Sequence, residues 1–193
     1  MKNLTLVFCA VLALSLILLS GCGGHKTTDV PEAEAPPPAQ EAPPPEEEND
    51  PIYITFEAAD LEGNPVSQEI FTQSKLTMVN VWATYCNPCL REMPGLGELA
   101  ADYDPSEFQI IGVVSDVREG ADLSLVESLV QETGADYPHL LANDSLDQAF
   151  LAGVTSVPTT FFFDGEGAYL GGVVGSAEKS AWEELIHELL EGQ

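Results

Sequence analysis

Two cysteines separated by two residues, Cys86-Asn87-Pro88-Cys89, stand between an apolar run at residues 76–82 and a stretch of helical character at 90–101. A C-x-x-C pair at a strand-to-helix junction is the arrangement that thiol–disulfide exchange needs. The first thiol falls at the helix N-terminus, where unpaired backbone N–H groups and the positive dipole end stabilise a thiolate. The second lies one turn further in, within reach of a disulfide formed by the first. Pro88 sits near the first helical position, where its missing N–H costs nothing. Half of a structural zinc site would need a second ligand pair. The other cysteines are Cys9 and Cys22, in or beside an N-terminal apolar run, and His25, His139 and His187 are scattered. A permanent structural disulfide is the stronger alternative, but a pair at a helix start is strained and exposed by position, which favours a labile bond.

The first fifty residues do not read as globular. Lys2 precedes sixteen apolar-rich residues, 4–19, short of the roughly 20 needed to span a bilayer, so residues 1–21 read as an export signal. The closing Leu19-Ser20-Gly21-Cys22 resembles the bacterial lipoprotein box, which implies lipidation of Cys22 and tethering to the outer face of a membrane. With Cys9 removed and Cys22 acylated, only Cys86 and Cys89 remain as thiols outside the cytosol. That count points to redox function rather than to a stapled scaffold. Residues 22–51 alternate Pro, Ala and Glu without apolar periodicity and read as a disordered linker, reaching at most roughly 90 Å.

The formal charge is −26, and from Pro51 onward 24 Asp and Glu face four basic residues. Such a balance excludes nucleic acid as a partner and disfavours direct adsorption on anionic lipid. Solubility of an exported surface accounts for it, while a basic partner would be favoured on encounter.

From residue 52 the pattern predicts one domain, 52–193. Strands are expected at 53–56, 66–71, 76–82, 108–115, 137–141, 159–163 and 168–174, with turns at Gly63-Asn64-Pro65 and Asp164-Gly165-Glu166-Gly167. Helices are expected from Pro88, bending near Pro94, at 123–133 closed by Gly134, at 145–151, and at 179–190 with Ser176 as its N-cap. Alternating strands and helices ending in a hairpin and a helix give an α/β domain with a mixed sheet.

The segment VNVWATYCNPCLREMP at 79–94 resembles the active-site segment of the thioredoxin-like TlpA/ResA group of membrane-tethered thiol–disulfide oxidoreductases. GVTSVPTTFFFD at 153–164 resembles that group's cis-proline loop and following strand. The resemblance implies a thioredoxin-like fold: a central mixed β-sheet flanked by helices, with an N-terminal β-hairpin and a central insertion. It implies Cys86 as nucleophile, Cys89 as the resolving thiol, a cis Pro158 packed beside the pair, and a Val157 backbone that pairs with an extended substrate segment. Composition alone leaves Pro158 an ordinary turn proline. Glu92, one turn beyond Cys89, matches a family glutamate that tunes the thiols or moves protons; a solvated helix carboxylate is the plain alternative. Asn80 stands where ordinary thioredoxins carry a buried acid, which shifts proton handling toward Glu92. Tyr85 replaces the usual tryptophan as an aromatic wall, and Trp82 reads as core.

The expected chemistry uses no cofactor beyond the redox-active Cys86–Cys89 disulfide. Its expected partners are substrate protein disulfides or thiols, a membrane electron donor of the CcdA/DsbD type, and the membrane through the N-terminal lipid. Resemblance suggests a reducing role, in cytochrome c maturation among others, although Asn87-Pro88 does not fix the potential. A thiol peroxidase is a second enzyme reading, but peroxiredoxins place Thr two residues further from the cysteine and carry a preceding proline that is absent here. A Sco-like copper carrier needs C-x-x-x-C and a distal His, for which only His139 or His187 is on offer.

Overall fold

The computed structural model describes residues 50–192. The expected export signal, the expected lipidation site Cys22 and nearly all of the expected linker lie outside the described residues. The chain runs β1 (Glu57–Ala59), β2 (Pro65–Ser67), β3 (Leu76–Trp82), α1 (Asn87–Asp102), β4 (Phe108–Arg118), α2 (Ser124–Thr133), β5 (His139–Ala142), α3 (Asp144–Ala149), β6 (Thr159–Asp164), β7 (Tyr169–Val174) and α4 (Lys179–Glu191). Five strands form one mixed sheet in the order β5-β4-β3-β6-β7, and β1 and β2 form a separate antiparallel hairpin. Strand β3 pairs parallel with β4 and antiparallel with β6, and all seven of its residues are buried. That five of the seven are apolar follows from that central position, since both faces are covered.

The period of two along β3 divides the core. Leu76 and Met78 pack with Leu96 and Leu99 of α1 and with Trp182 and Ile186 of α4. Val79 and Val81 point the other way, to Phe56, Phe71, Phe150 and Phe163. There Phe71 stacks on Phe163 with ring centroids 4.4 Å apart. Helix α4 is held against α1 by Lys179, whose Nζ lies 2.7 Å from Asp102 and 3.0 Å from Glu98. Between β4 and β6 the chain adds α2, β5 and α3, the region of the expected central insertion.

Three expectations need correction. Residues 53–56 are not a strand: Tyr53 makes one isolated bridge to Ala168, and the Phe56 N–H donates to Gln68 Oε1 instead of to a neighbouring strand. The return arm stops at Ser67, because the Ser67 hydroxyl accepts from the Glu69 N–H and turns the chain into a 3-10 helix, Gln68–Gln73. Ser176 does not cap α4. Glu178 holds the cap position, no side chain among the described residues caps it, and the neighbouring Ala177 N–H is given to Glu92. Helix α1 is continuous through Pro94, and β4 runs three residues past the expected 115. The Gly134 closure of α2 is as expected, with φ +64° at the C-cap.

Candidate active site around the Cys86–Cys89 disulfide

Strand β3 delivers the chain to a short loop whose position is fixed from β4. The Thr84 N–H and hydroxyl both donate to Asp116, at 3.0 Å to Oδ1 and 2.5 Å to Oδ2. The Cys86 N–H closes the loop on Ala83 O, and Cys86 then caps α1, its sulfur accepting from the Cys89 N–H at 3.2 Å. The two cysteines form a disulfide with Cα atoms 5.3 Å apart. The pair is less open than its position in the sequence suggests: Cys86 is 5% exposed and Cys89 is fully buried. Only the edge of Cys86 can be reached from outside, so the two sulfurs are unequal before any chemistry begins.

The second motif comes to the same place. Val157 O lies 3.5 Å from Cys86 Sγ, a contact in the oxidised state because a disulfide sulfur has no hydrogen to donate. The Val157–Pro158 bond is cis, as the resemblance implied. Beside the disulfide lies a groove of about 270 Å³ whose walls include Tyr85, Ser115, Val154, Thr155, Ser156 and Val157. Tyr85 is 73% exposed, a free aromatic wall.

Glu92 is not a solvated helix carboxylate. It is 6% exposed; Oε1 accepts from Asn80 Nδ2 at 3.1 Å and Oε2 from the Ala177 N–H at 3.1 Å. Burial outweighs these hydrogen bonds and pushes its carboxyl above the ordinary 4.5. Asn80 spends its second N–H on Thr160 Oγ1, so β3, β6 and α1 are joined through one amide.

Sequence reading missed His139. It lies 2% exposed on β5, directly opposite Gly112 of β4, where a Cβ would fall inside contact distance of its ring. Its Nδ1 accepts from Trp82 Nε1 at 3.2 Å, so its Nε2 carries the hydrogen and donates to Ala135 O at 3.0 Å. The imidazole thereby ties the end of β3, four residues before Cys86, to the C-terminus of α2. The available signal was the pair Gly112 and His139, but their register is set only when β4 and β5 meet. Burial pushes the imidazole down to about 4. Between pH 6.5 and about 4 the unfolded chain takes up a proton that the folded protein refuses, so stability should fall with decreasing pH by up to about 3 kcal/mol. His139→Leu should lose about 2–3 kcal/mol at pH 7, with two buried groups left unpaired, and should lack this acid-side fall. Urea melts at pH 7 and 4.5 check it; the same fall in the variant would contradict the assignment.

Among the described residues no group of three His, Cys, Asp or Glu could hold a metal ion. His139 is engaged by Trp82 Nε1 and Ala135 O, and His187 lies on the exposed side of α4 near Glu191.

The model of the AhpC/TSA family matches residues 52–168. The thiol-disulfide oxidoreductase ResA of Bacillus thuringiensis subsp. konkukian is 29% identical over 135 residues, 69% of this chain and 74% of that protein. ResA of Geobacillus thermodenitrificans is 32% identical over 125 residues, 64% and 68% of the two chains. Among solved structures, a thiol:disulfide interchange protein of the thioredoxin family from Chlorobium tepidum TLS superposes with a TM-score of 0.64 at 25% identity, covering 73% of this chain and 97% of that one. Fold and site together define a thioredoxin-like thiol–disulfide oxidoreductase. The chain belongs to the AhpC/TSA family and, within it, is of the ResA/TlpA type.

Proposed function

We propose that the protein is a lipid-anchored, extracytoplasmic reductant of protein disulfides. The observation that carries this reading is the unequal disulfide. One sulfur caps a helix and is open at its edge beside the Val157–Pro158 loop, and its twin is sealed beneath with a buried carboxyl a turn away.

In the reduced protein Cys86 is the nucleophile. Its thiolate gains from the α1 N-terminus and the Cys89 N–H, and it attacks a substrate disulfide laid along the groove. The substrate segment is extended, pairs with the Val157 backbone and rests against Tyr85. Cys89 then attacks the mixed disulfide at Cys86, giving its proton to Glu92; the Cys86–Cys89 bond forms as the bond to substrate breaks, and the substrate sulfurs leave as thiolates that take their protons from water. Reduced Cys86 and Cys89 are restored by a membrane electron donor of the CcdA/DsbD type. Among possible substrates, the cysteine pairs of cytochrome c precursors fit a small extracytoplasmic reductant. Lipidation of Cys22 holds the domain within reach of the membrane, and the Pro/Glu-rich linker sets that reach; no helix among the described residues is long and apolar enough to cross a membrane. Mass spectrometry of the exported protein, with Cys22→Ser as control, tests the anchor: an unmodified Cys22 would rule it out.

Glu92→Gln removes the proton acceptor and a neighbouring negative charge while keeping the shape. Turnover at pH 7 should fall roughly 10–100-fold, and thiol alkylation should titrate at lower pH. The wild-type carboxyl holds its proton in the folded state above the pH at which the unfolded chain releases it. Stability therefore falls as pH rises from 4.5 through the raised folded value, and the Gln variant should lack that fall. An unchanged alkylation curve together with wild-type turnover would reduce Glu92 to a structural role.

A further inference from the structure

A second depression lies across one wall of the substrate groove. It has a volume of about 260 Å³, and its walls include Phe150, Phe161, Phe163 and Tyr169. The four rings are neighbours in a closed circuit, with centroids 5.8 Å (Phe150–Phe161), 6.2 Å (Phe161–Tyr169), 5.8 Å (Phe163–Tyr169) and 6.0 Å (Phe150–Phe163) apart. Ile52 and Ile54 also line it, on a segment held by the Tyr169 N–H, which donates to Ile52 O at 2.8 Å, and by the Tyr53–Ala168 bridge. None of the nine lining residues is charged, on a chain whose formal charge is −26. Such walls suit an apolar or aromatic group, and an apolar cavity of roughly 150 Å³ takes a benzene ring.

The wall between groove and cavity is the segment 147–154, the last turn of α3 and the 3-10 turn Leu151–Gly153 that follows it. Asp147, Leu151 and Val154 line the groove beside Tyr85 and Val157, while Gln148, Ala149, Phe150 and Gly153 line the apolar cavity. One short stretch of chain therefore serves both depressions. It carries no side chain at Gly153. A Cβ built there would meet nothing within 4 Å, and the backbone lies outside the left-handed region, so neither space nor conformation demands glycine. The missing side chain leaves the crossing from groove to cavity open beside Val154.

We propose that this cavity is a specificity subsite: it receives an apolar or aromatic side chain of the protein substrate, from a residue about four positions from the cysteine that Cys86 attacks. The inference rests on the extended substrate segment assigned above to the Val157 backbone. Gly153 stands four residues before Val157, and an extended strand advances about 3.3 Å per residue. A segment that pairs at Val157 and follows the chain back past Val154 reaches the crossing at Gly153 after about four of its own residues. A paired strand has a direction, so the side chain comes from one side of the cysteine and not from the other. The preferred substrates are then polypeptides with Phe, Leu or a similar residue at that distance, rather than any accessible disulfide. Burial of the side chain acts on the encounter, and the sulfur chemistry stays with Cys86 and Cys89.

The test uses full-length Cys89→Ser protein, with Cys9→Ser and Cys22→Ser so that Cys86 is the sole thiol. The probes are peptides whose single cysteine is held in a disulfide with thionitrobenzoate. The Cys86 thiolate attacks the peptide sulfur, a bond forms between them, and thionitrobenzoate leaves with the electron pair and is read by its absorbance. Phe, Leu, Asp or Gly is placed three, four or five residues before or after the cysteine, and each rate is divided by that of the same peptide with dithiothreitol. Phe or Leu, on one side only, should raise the rate at least tenfold over Gly, since full burial of such a side chain is worth that factor or more, and Asp should not. Gly153→Leu, which the backbone accepts and which fills the crossing, should bring the Phe-to-Gly ratio to about one; a ratio cancels any general loss of reactivity. Rates indifferent to the residue, or a preference that survives Gly153→Leu, overturn the subsite and leave the cavity to another occupant, with the exchange reading intact. Peptides that do not react at Cys86 at all remove that reading and the subsite with it.

Discussion

Cys86→Ser should lower disulfide reductase turnover by on the order of a thousandfold or more, because the sulfur that the substrate can reach is gone and its twin is sealed. Cys89→Ser should behave differently. With Cys86 intact, attack on substrate still occurs, but nothing resolves the product, so covalent adducts accumulate at Cys86. The asymmetry follows from burial: 5% exposure at Cys86 against none at Cys89 decides which sulfur meets a partner first. Helix position acts in the same direction, since Cys86 caps α1 and receives the Cys89 N–H. Activity assays of both variants with a disulfide-bonded protein, followed by mass spectrometry of the adducts, check the order. A Cys86→Ser protein that stays active, or a Cys89→Ser protein that collects no adducts, reverses it.

Gly97→Ala should be strongly destabilising although it lies away from the sulfurs. In an isolated helix it would be favourable by up to about 1 kcal/mol, since alanine outranks glycine in helix propensity. Gly97, however, is where α1 passes the C-cap of α2. A Cβ there would fall inside contact distance of the Gly134 carbonyl oxygen, 2.9 Å from the Gly134 carbonyl carbon and 3.3 Å from Ala135 Cα. These are backbone atoms and cannot rotate away. Ala135 also receives the His139 hydrogen bond, so displacing α2 disturbs the brace on Trp82. Overpacking should outweigh propensity, with a net loss of about 3 kcal/mol and roughly 10 °C in Tm. Thermal melts of Gly97→Ala decide between the two effects, and a variant as stable as wild type would show that α1 and α2 can separate cheaply.

Much of this was legible in the chain. The run at 76–82 became β3 with the expected bounds, because a strand buried on both faces needs no partner to declare its pattern. The Cys86–Cys89 spacing with Pro88 marked the start of α1, since helix N-termini have a local grammar. What escaped was nonlocal. Whether Glu92 faced solvent or core depended on α4 arriving with the Ala177 N–H, and the same donation explains why Ser176 was a misleading cap signal. His139 looked like one of three scattered histidines until β5 placed it over Gly112. Residues 53–56 alternate like a strand, yet their backbone partners are a glutamine side chain and a single bridge, which periodicity does not reveal.

The central claim is that the Cys86–Cys89 bond is made and broken in exchange with protein disulfides. It is tested most directly by mixing reduced full-length protein with an equimolar disulfide-bonded protein and counting thiols on both partners by mass spectrometry, beside an identical sample given peroxide. The account predicts loss of two hydrogens from the Cys86–Cys89 peptide, matched by two new thiols on the partner, at a rate that peroxide does not rival. An intact partner disulfide, with Cys86 and Cys89 oxidised only when peroxide is supplied, would contradict it.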